Sequence, residues 1–134
     1  MQPTAEQFTE KAWAAIVAAQ QLAQNAKHQQ METEHLLFAL LQQNGLAGRI
    51  LSKAGVDTGS FQTTVENHIK RQASLGSPPD SVFLGRSLNA TLDRAEQQRD
   101  RFKDSYVAIE HLLMSLAVDD RCGRQLLSQA GVDA

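Results

Sequence analysis

The sequence predicts an all-α domain: two tandem helical repeats of about four helices each, related by a pseudo-two-fold axis, joined by a Gly/Ser/Pro linker, with the last helix of the second repeat cut off. Three observations carry this. A block of sequence recurs at a fixed offset, 110 − 34 = 76 residues. Apolar residues fall at helical spacing in both copies. Glycine stops and a proline-bearing stretch punctuate the pattern at matching places.

The repeat is direct. Thr33-Glu34-His35-Leu36-Leu37-Phe38-Ala39-Leu40 returns as Ile109-Glu110-His111-Leu112-Leu113-Met114-Ser115-Leu116. Between 33 and 57, eleven of twenty-five positions are identical without a gap, far above chance, so the unit is duplicated. Upstream, Phe8 meets Leu84, Ala12 meets Leu88, Ile16 meets Leu92 and Ala19 meets Ala95. The chain therefore divides into one repeat over about 8–71, a linker over about 72–83, and a second repeat over about 84–134, all in one domain.

Each element has a local cause. The first helix opens near Thr4 or Thr9, both plausible caps, and runs to about Lys27. Its inner stripe is Phe8, Ala12, Ala15, Ile16, Ala19, Leu22, Ala23 and Ala26. The second, over about 34–43, is apolar almost all round and should be buried, as should its copy over about 110–118. A third, short helix covers about 47–54. Gly55 stops it, since the residue past a helix end often needs a positive φ. Asp57 then caps a fourth helix with Phe61, Val65 and Ile69 on one stripe. Gly131-Val132-Asp133 repeats the stop and cap, and the sequence given ends one residue later. In the second copy, Leu84, Leu88, Leu92, Ala95 and Phe102 mark the inner face of a long helix whose other side alternates charge. Those charges form a solvated face.

Composition sets bounds on function. The chain has 134 residues, 42% apolar, with a net charge of −2. That balance, without an aromatic-basic stripe, argues against nucleic acid. No apolar run approaches a membrane span and no signal peptide opens the chain, which predicts a cytoplasmic protein that binds no membrane. Cys122 is the single cysteine. It aligns with Leu46 and reads as a small buried hydrophobe.

The search for chemistry returns little. No glycine precedes a lysine, so a P-loop is absent and the chain should not bind ATP in that way. His35 and His111 each follow a glutamate at the start of a buried helix. No second histidine stands four residues away, so a structural role is expected and no metal. Nothing groups Ser, His and Asp for nucleophilic catalysis. Trp13 and Val17 form an apolar pair off the inner stripe of the first helix, either covered by the linker or exposed for a partner.

Phe8-Thr9-Glu10-Lys11-Ala12, Glu34-His35-Leu36-Leu37 and Ala54-Gly55-Val56-Asp57 resemble the Clp N-terminal repeat. The second half, with Leu84-Gly85-Arg86-Ser87-Leu88 and Asp104-Ser105-Tyr106-Val107-Ala108-Ile109-Glu110-His111-Leu112-Leu113, is most similar to the ClpB type of disaggregase chaperone. ClpC-type chains usually show Leu-Gly-His-Asn before the glutamate in both copies, and this sequence does not.

The resemblance implies a non-catalytic α-helical domain at the start of an ATP-driven hexamer. ATP and magnesium would belong to ATPase modules beyond this chain, with no cofactor here. It implies contact with unfolded or aggregated polypeptide, delivery to the ATPase ring, and a DnaK-type partner docking elsewhere on the machine. The alternative it leaves open is an adaptor-docking domain of a ClpC- or ClpA-like unfoldase. Carried over by the resemblance, the substrate-handling positions are Thr9, Asp104, Glu110 and the groove residue Leu92; a further apolar groove position is His111 here. Thr9 and Asp104 break the repeat's symmetry, matching Gly85 and His28, which makes a one-sided site credible there. On this reading an alanine at 104 should weaken client binding with little change in melting temperature.

Overall fold

The computed structural model describes residues 3–132. Seven α-helices carry it: α1 (Glu10–Asn25), α2 (Thr33–Gln42), α3 (Leu46–Lys53), α4 (Thr58–Lys70), α5 (Arg86–Arg101), α6 (Ile109–Leu116) and α7 (Gly123–Gln129). The order α1-α2-α3 recurs as α5-α6-α7 at the 76-residue offset. The fourth helix α4 has no counterpart among the described residues, and the expected cap at Asp133 lies outside them. No described helix is long and apolar enough to cross a membrane.

The first long helix begins at one of the two expected caps. Thr9 caps α1, its hydroxyl accepting from the Ala12 N–H at 3.2 Å, while Thr4 and Gln7 close a separate 3-10 turn. The stripe Ala12, Ala15, Ile16, Ala19 and Ala23 is buried, as are Leu88, Leu92 and Ala95 on α5. Phe102 departs from expectation. It lies just past the end of α5 and is 56% exposed. Its repeat partner Ala26 lines a pocket with Phe38 and Ile69 of α4, a cover that Phe102 lacks.

The buried helices behave as their composition dictates. From Thr33 to Leu41 every residue of α2 is buried, including Glu34 and His35. Large apolar side chains contribute about 1.5–3 kcal/mol each when fully buried. Phe61, Val65 and Ile69 of α4 add a continuous stripe to the same core.

Helix ends repeat as faithfully as helix faces. Gly55 and Gly131 have φ of 93° and 101°. In each, the N–H of the glycine and of the following valine bond back to Ser52 and Leu51, or to Ser128 and Leu127. These are the paired hydrogen bonds of the glycine-terminated helix end. At the ends of α1 and α5 the same left-handed turn is made by lysines, Lys27 at 63° and Lys103 at 58°.

Two short parallel pairings were not expected from the sequence. Strand β1 (Gln30–Met31) pairs with β2 (Phe83–Leu84), matching Met31 to Leu84, and an isolated bridge joins Phe8 to Val107. Since 8 + 76 = 84 and 31 + 76 = 107, the two pairings are repeat equivalents. The lead-in of each half is thus hydrogen-bonded to the other half, immediately before its buried helix. The linker packs beside the end of α1, with Gln24 Nε2 donating to the Pro79 carbonyl and Gln29 Nε2 to that of Ser81. Trp13 is half-buried against Phe8, with ring centroids 5.7 Å apart.

Replacing Gly55 by alanine should destabilise the domain by about 1–2 kcal/mol, because a Cβ disfavours the left-handed conformation while nothing else crowds the site. Denaturant unfolding would show a lower midpoint with an unchanged slope.

Candidate functional site

Two pseudo-equivalent grooves lie where the start of one half meets the buried helix of the other. One is open and the other is bridged by a guanidinium between two carboxylates, and single residues decide which. The open groove is a cavity of about 520 Å³ lined by Thr9, Lys11 and Ala14 of the α1 start, residues 43–46 and Arg49 around the start of α3, and Ala108, Ile109 and Glu110 at the start of α6. In the other groove the places of Gly45 and Ala108 are taken by Arg121 and Glu32. Arg121 donates from Nε to Glu34 Oε1 at 2.9 Å and from a terminal nitrogen to Oε2 at 3.1 Å, and lies 3.6 Å from Glu32. Opposite Glu32 the chain has Gly85, where a Cβ would collide with the Glu32 carboxylate. In the open groove the matching positions are Thr9 and Ala108, and both line the cavity.

The two glutamates therefore differ in state. Glu34 is fully buried. Burial alone would raise its carboxyl, but the Arg121 hydrogen bond, a backbone hydrogen bond and the Arg121 charge outweigh this and hold it below the ordinary value. Burial raises Glu32 above its usual range against the pull of Arg121. Hydrogen bonding to Glu34 raises Arg121 further, so the pair stays ionised. Glu110 is half-buried and makes no ion pair or hydrogen bond among the described residues. Gln43, which also lines the cavity, donates to the Lys11 carbonyl at 2.9 Å while its Oε1 is buried without a partner. Lys11 and Arg49 place cationic groups on the same rim, and Ala14, Leu46 and Ile109 supply apolar wall.

The histidines are clasps. His35 Nδ1 accepts the Glu32 N–H at 2.8 Å, and His111 Nδ1 accepts the Ala108 N–H at the same distance. With Nδ1 accepting, the proton sits on Nε2. The His35 Nε2 meets His28 Nδ1 at 2.9 Å, and the His111 Nε2 meets Asp104 Oδ2 at 2.8 Å. Burial pushes His35 down to about 4.

Sequence-predicted residues are distributed accordingly. Thr9 and Glu110 line the open cavity together. Leu92 does not reach it: the side chain is fully buried, because Leu88, Leu92 and Ala95 form the core stripe of α5, so its assignment as a groove contact is corrected. Asp104 is outside the cavity, and its Oδ2 lies 2.8 Å from His111 Nε2, a hydrogen bond that an alanine there would remove. His111 itself is buried and not part of the groove surface. Val17 is 48% exposed on α1, and neither it nor Trp13 lines the cavity. Cys122 is buried as expected, but among polar groups, with Sγ 3.3 Å from Thr33 Oγ1 and 3.5 Å from Glu34 Oε1. It converges with Glu34 and His68, whose candidate ligand atoms all lie within 4.8 Å of one another. Gln43, Gly45 and Arg49 were missed. The offset could have flagged Gly45, since it is the place where the second copy carries Arg121.

Comparison with known proteins agrees with this architecture. The family described as the Clp repeat (R) N-terminal domain matches residues 7–130. Chaperone protein ClpB 1 of Parasynechococcus marenigrum is 77% identical over 132 residues, covering 98% of this chain and 15% of that protein. Chaperone protein ClpB 2 of Nostoc sp. is 48% identical over 134 residues, covering 99% and 15%. The chain thus spans about 15% of the length of these relatives. The Hsp104 N-terminal domain of Candida albicans superposes with a TM-score of 0.85 at 28% identity, covering 96% of this chain and 84% of that one.

Two measurements follow from the clasps. Unfolded His35 titrates near 6.5 and folded His35 near 4, so between these values the unfolded chain takes up a proton that the folded chain does not. This contribution is complete above pH 6.5 and is lost as pH falls toward 4, on the order of 3 kcal/mol. Glu34, held below 4.5, adds a further loss at the acidic end. Equilibrium unfolding at stepped pH should show the decline, and His35→Gln should flatten its upper part. Asp104→Ala should lower stability by about 1 kcal/mol by leaving the His111 donor without its acceptor. Asp104→Asn, which retains an acceptor oxygen, should recover most of that in the same assay.

Proposed function

We propose that this chain, which belongs to the Clp repeat N-terminal domain family, binds unfolded or aggregated polypeptide in the open groove and helps pass it to the ATPase ring of a ClpB-type disaggregase. In that machine ATP and magnesium act in modules outside this chain, the hexamer forms through those modules, and a DnaK-type chaperone system docks elsewhere.

The observation that carries the reading is the asymmetry of the two grooves. An opening of about 520 Å³ with apolar walls, the Thr9 hydroxyl, the bare Gln43 Oε1 and the unpaired Glu110 carboxylate suits an extended backbone. Such a segment presents N–H groups to Gln43 and Glu110, and small side chains to Ala14, Leu46 and Ile109. Hydrogen bonds to backbone select no sequence, which fits a domain with many clients. Each contributes about 1 kcal/mol, so binding is weak and multiple.

The bridged groove supplies its own test. Gly45 stands where the other half has Arg121, and a Cβ added there meets nothing closer than 4.0 Å. Gly45→Arg should place a guanidinium beside Glu110 and close the cavity. Binding of a permanently unfolded polypeptide, followed by fluorescence anisotropy, should fall at least about tenfold, equivalent to ~1.4 kcal/mol, while the melting temperature holds or rises. Undiminished binding by a folded Gly45→Arg protein would remove the groove from the reading. Binding of a single folded adaptor in defined stoichiometry, without affinity for unfolded chain, would favour adaptor docking instead.

A further inference from the structure

We propose that Glu34, His68 and Cys122 form a binding site for a zinc-class divalent cation at the junction of α2, α4 and α7. The three side chains come from positions 34, 68 and 122, and their candidate ligand atoms lie within 4.8 Å of one another. Local ligand spacing could not have revealed them.

The donor set is selective. One thiolate, one imidazole and one carboxylate suit zinc or cobalt, whereas a single oxygen ligand offers little to magnesium or calcium. The surroundings favour a cation. Glu34 and Asp119 place two carboxylates beside Cys122, and Glu32 lies beyond them against the one guanidinium of Arg121. The thiol lies 3.3 Å from Thr33 Oγ1 and 3.5 Å from Glu34 Oε1. When a divalent ion binds, the thiol proton leaves to solvent and the thiolate binds the metal.

Access and competition are both defined. A cavity of about 290 Å³ opens beside the cluster, lined by Glu32, Glu34, Gln72 and Arg121, and Gln72 Nε2 lies 3.3 Å from His68 Nε2. Solvent from this cavity completes the coordination. Arg121 holds both Glu34 oxygens, yet Glu32 lies 3.6 Å from the same guanidinium. Arg121 can therefore release one Glu34 oxygen to a metal and keep its charge paired through Glu32. His35 takes no part, since its two ring nitrogens are engaged by Glu32 and His28.

The test is titration of the reduced protein with cobalt. The expected result is a near-ultraviolet thiolate-to-cobalt charge-transfer band saturating at one equivalent, bleached by zinc, with a melting temperature raised by zinc and restored by chelator. Cys122→Ser should abolish the band. Because Cys122 is buried and that variant can fail to fold, His68→Gln is the second arm. At this less buried position the fold should persist by circular dichroism while cobalt affinity falls by more than the roughly 10–100-fold typical of losing an outer-shell partner. No band and no melting shift in the unmodified protein would overturn the site. So would a band whose affinity is unmoved by His68→Gln.

Discussion

A buried imidazole that must satisfy both ring nitrogens holds each half together. In α2 and α6 the histidine sits in the third helical position and turns back to accept the N–H that precedes the helix. Its other nitrogen is met from the end of the preceding long helix, by His28 or by Asp104. Those residues arrive there because Lys27 and Lys103 adopt the left-handed turn that ends α1 and α5. A non-glycine residue in that conformation is strained by roughly 1–2 kcal/mol. The hydrogen bond it enables, to a buried ring that would otherwise lose its partner, offsets strain of that size. The clasp sets the position of the buried helix, and the core, the strand exchange and the grooves follow from it.

The exchange of lead-in segments explains why the grooves lie at the seam. Phe8 reaches across to Val107 and Leu84 to Met31, so the first residues of α1 stand beside the start of α6, and those of α5 beside α2. Each seam holds a carboxylate at a helix start, a favourable place for negative charge. Duplication made both seams alike in backbone, and substitution made them unlike in chemistry. Arg121 turned one into an ion pair on a buried carboxylate, and its loss would leave Glu34 uncompensated. Gly45 and Ala108 left the other open, with Glu110 on its wall.

Resemblance to the Clp repeat and the offset between copies proved complementary guides. Thr9 and Glu110 came from the resemblance and share one cavity. Leu92 came from the same source and failed, because its spacing with Leu88 and Ala95 already assigned it to the core stripe. Asp104 was correctly read as breaking the symmetry, yet it and His28 perform one task with different chemistry. A carboxylate and an imidazole can both accept from the same Nε2–H, so dissimilar residues at equivalent places need not mean dissimilar roles.

The sequence by itself determined the helices, their inward faces and their glycine ends, because a helix has a fixed period and a terminal left-handed turn has a fixed preference for glycine. Local geometry encodes these within a few residues. The parallel strand exchange, the clasps and the choice of which groove stays open were decided only in the tertiary structure. Each depends on side chains or backbone meeting across large separations: Arg121 with Glu34, Phe8 with Val107, Cys122 with His68. No periodicity links such residues. Their proximity follows from packing two copies of one unit against each other, and what their side chains then do follows from burial.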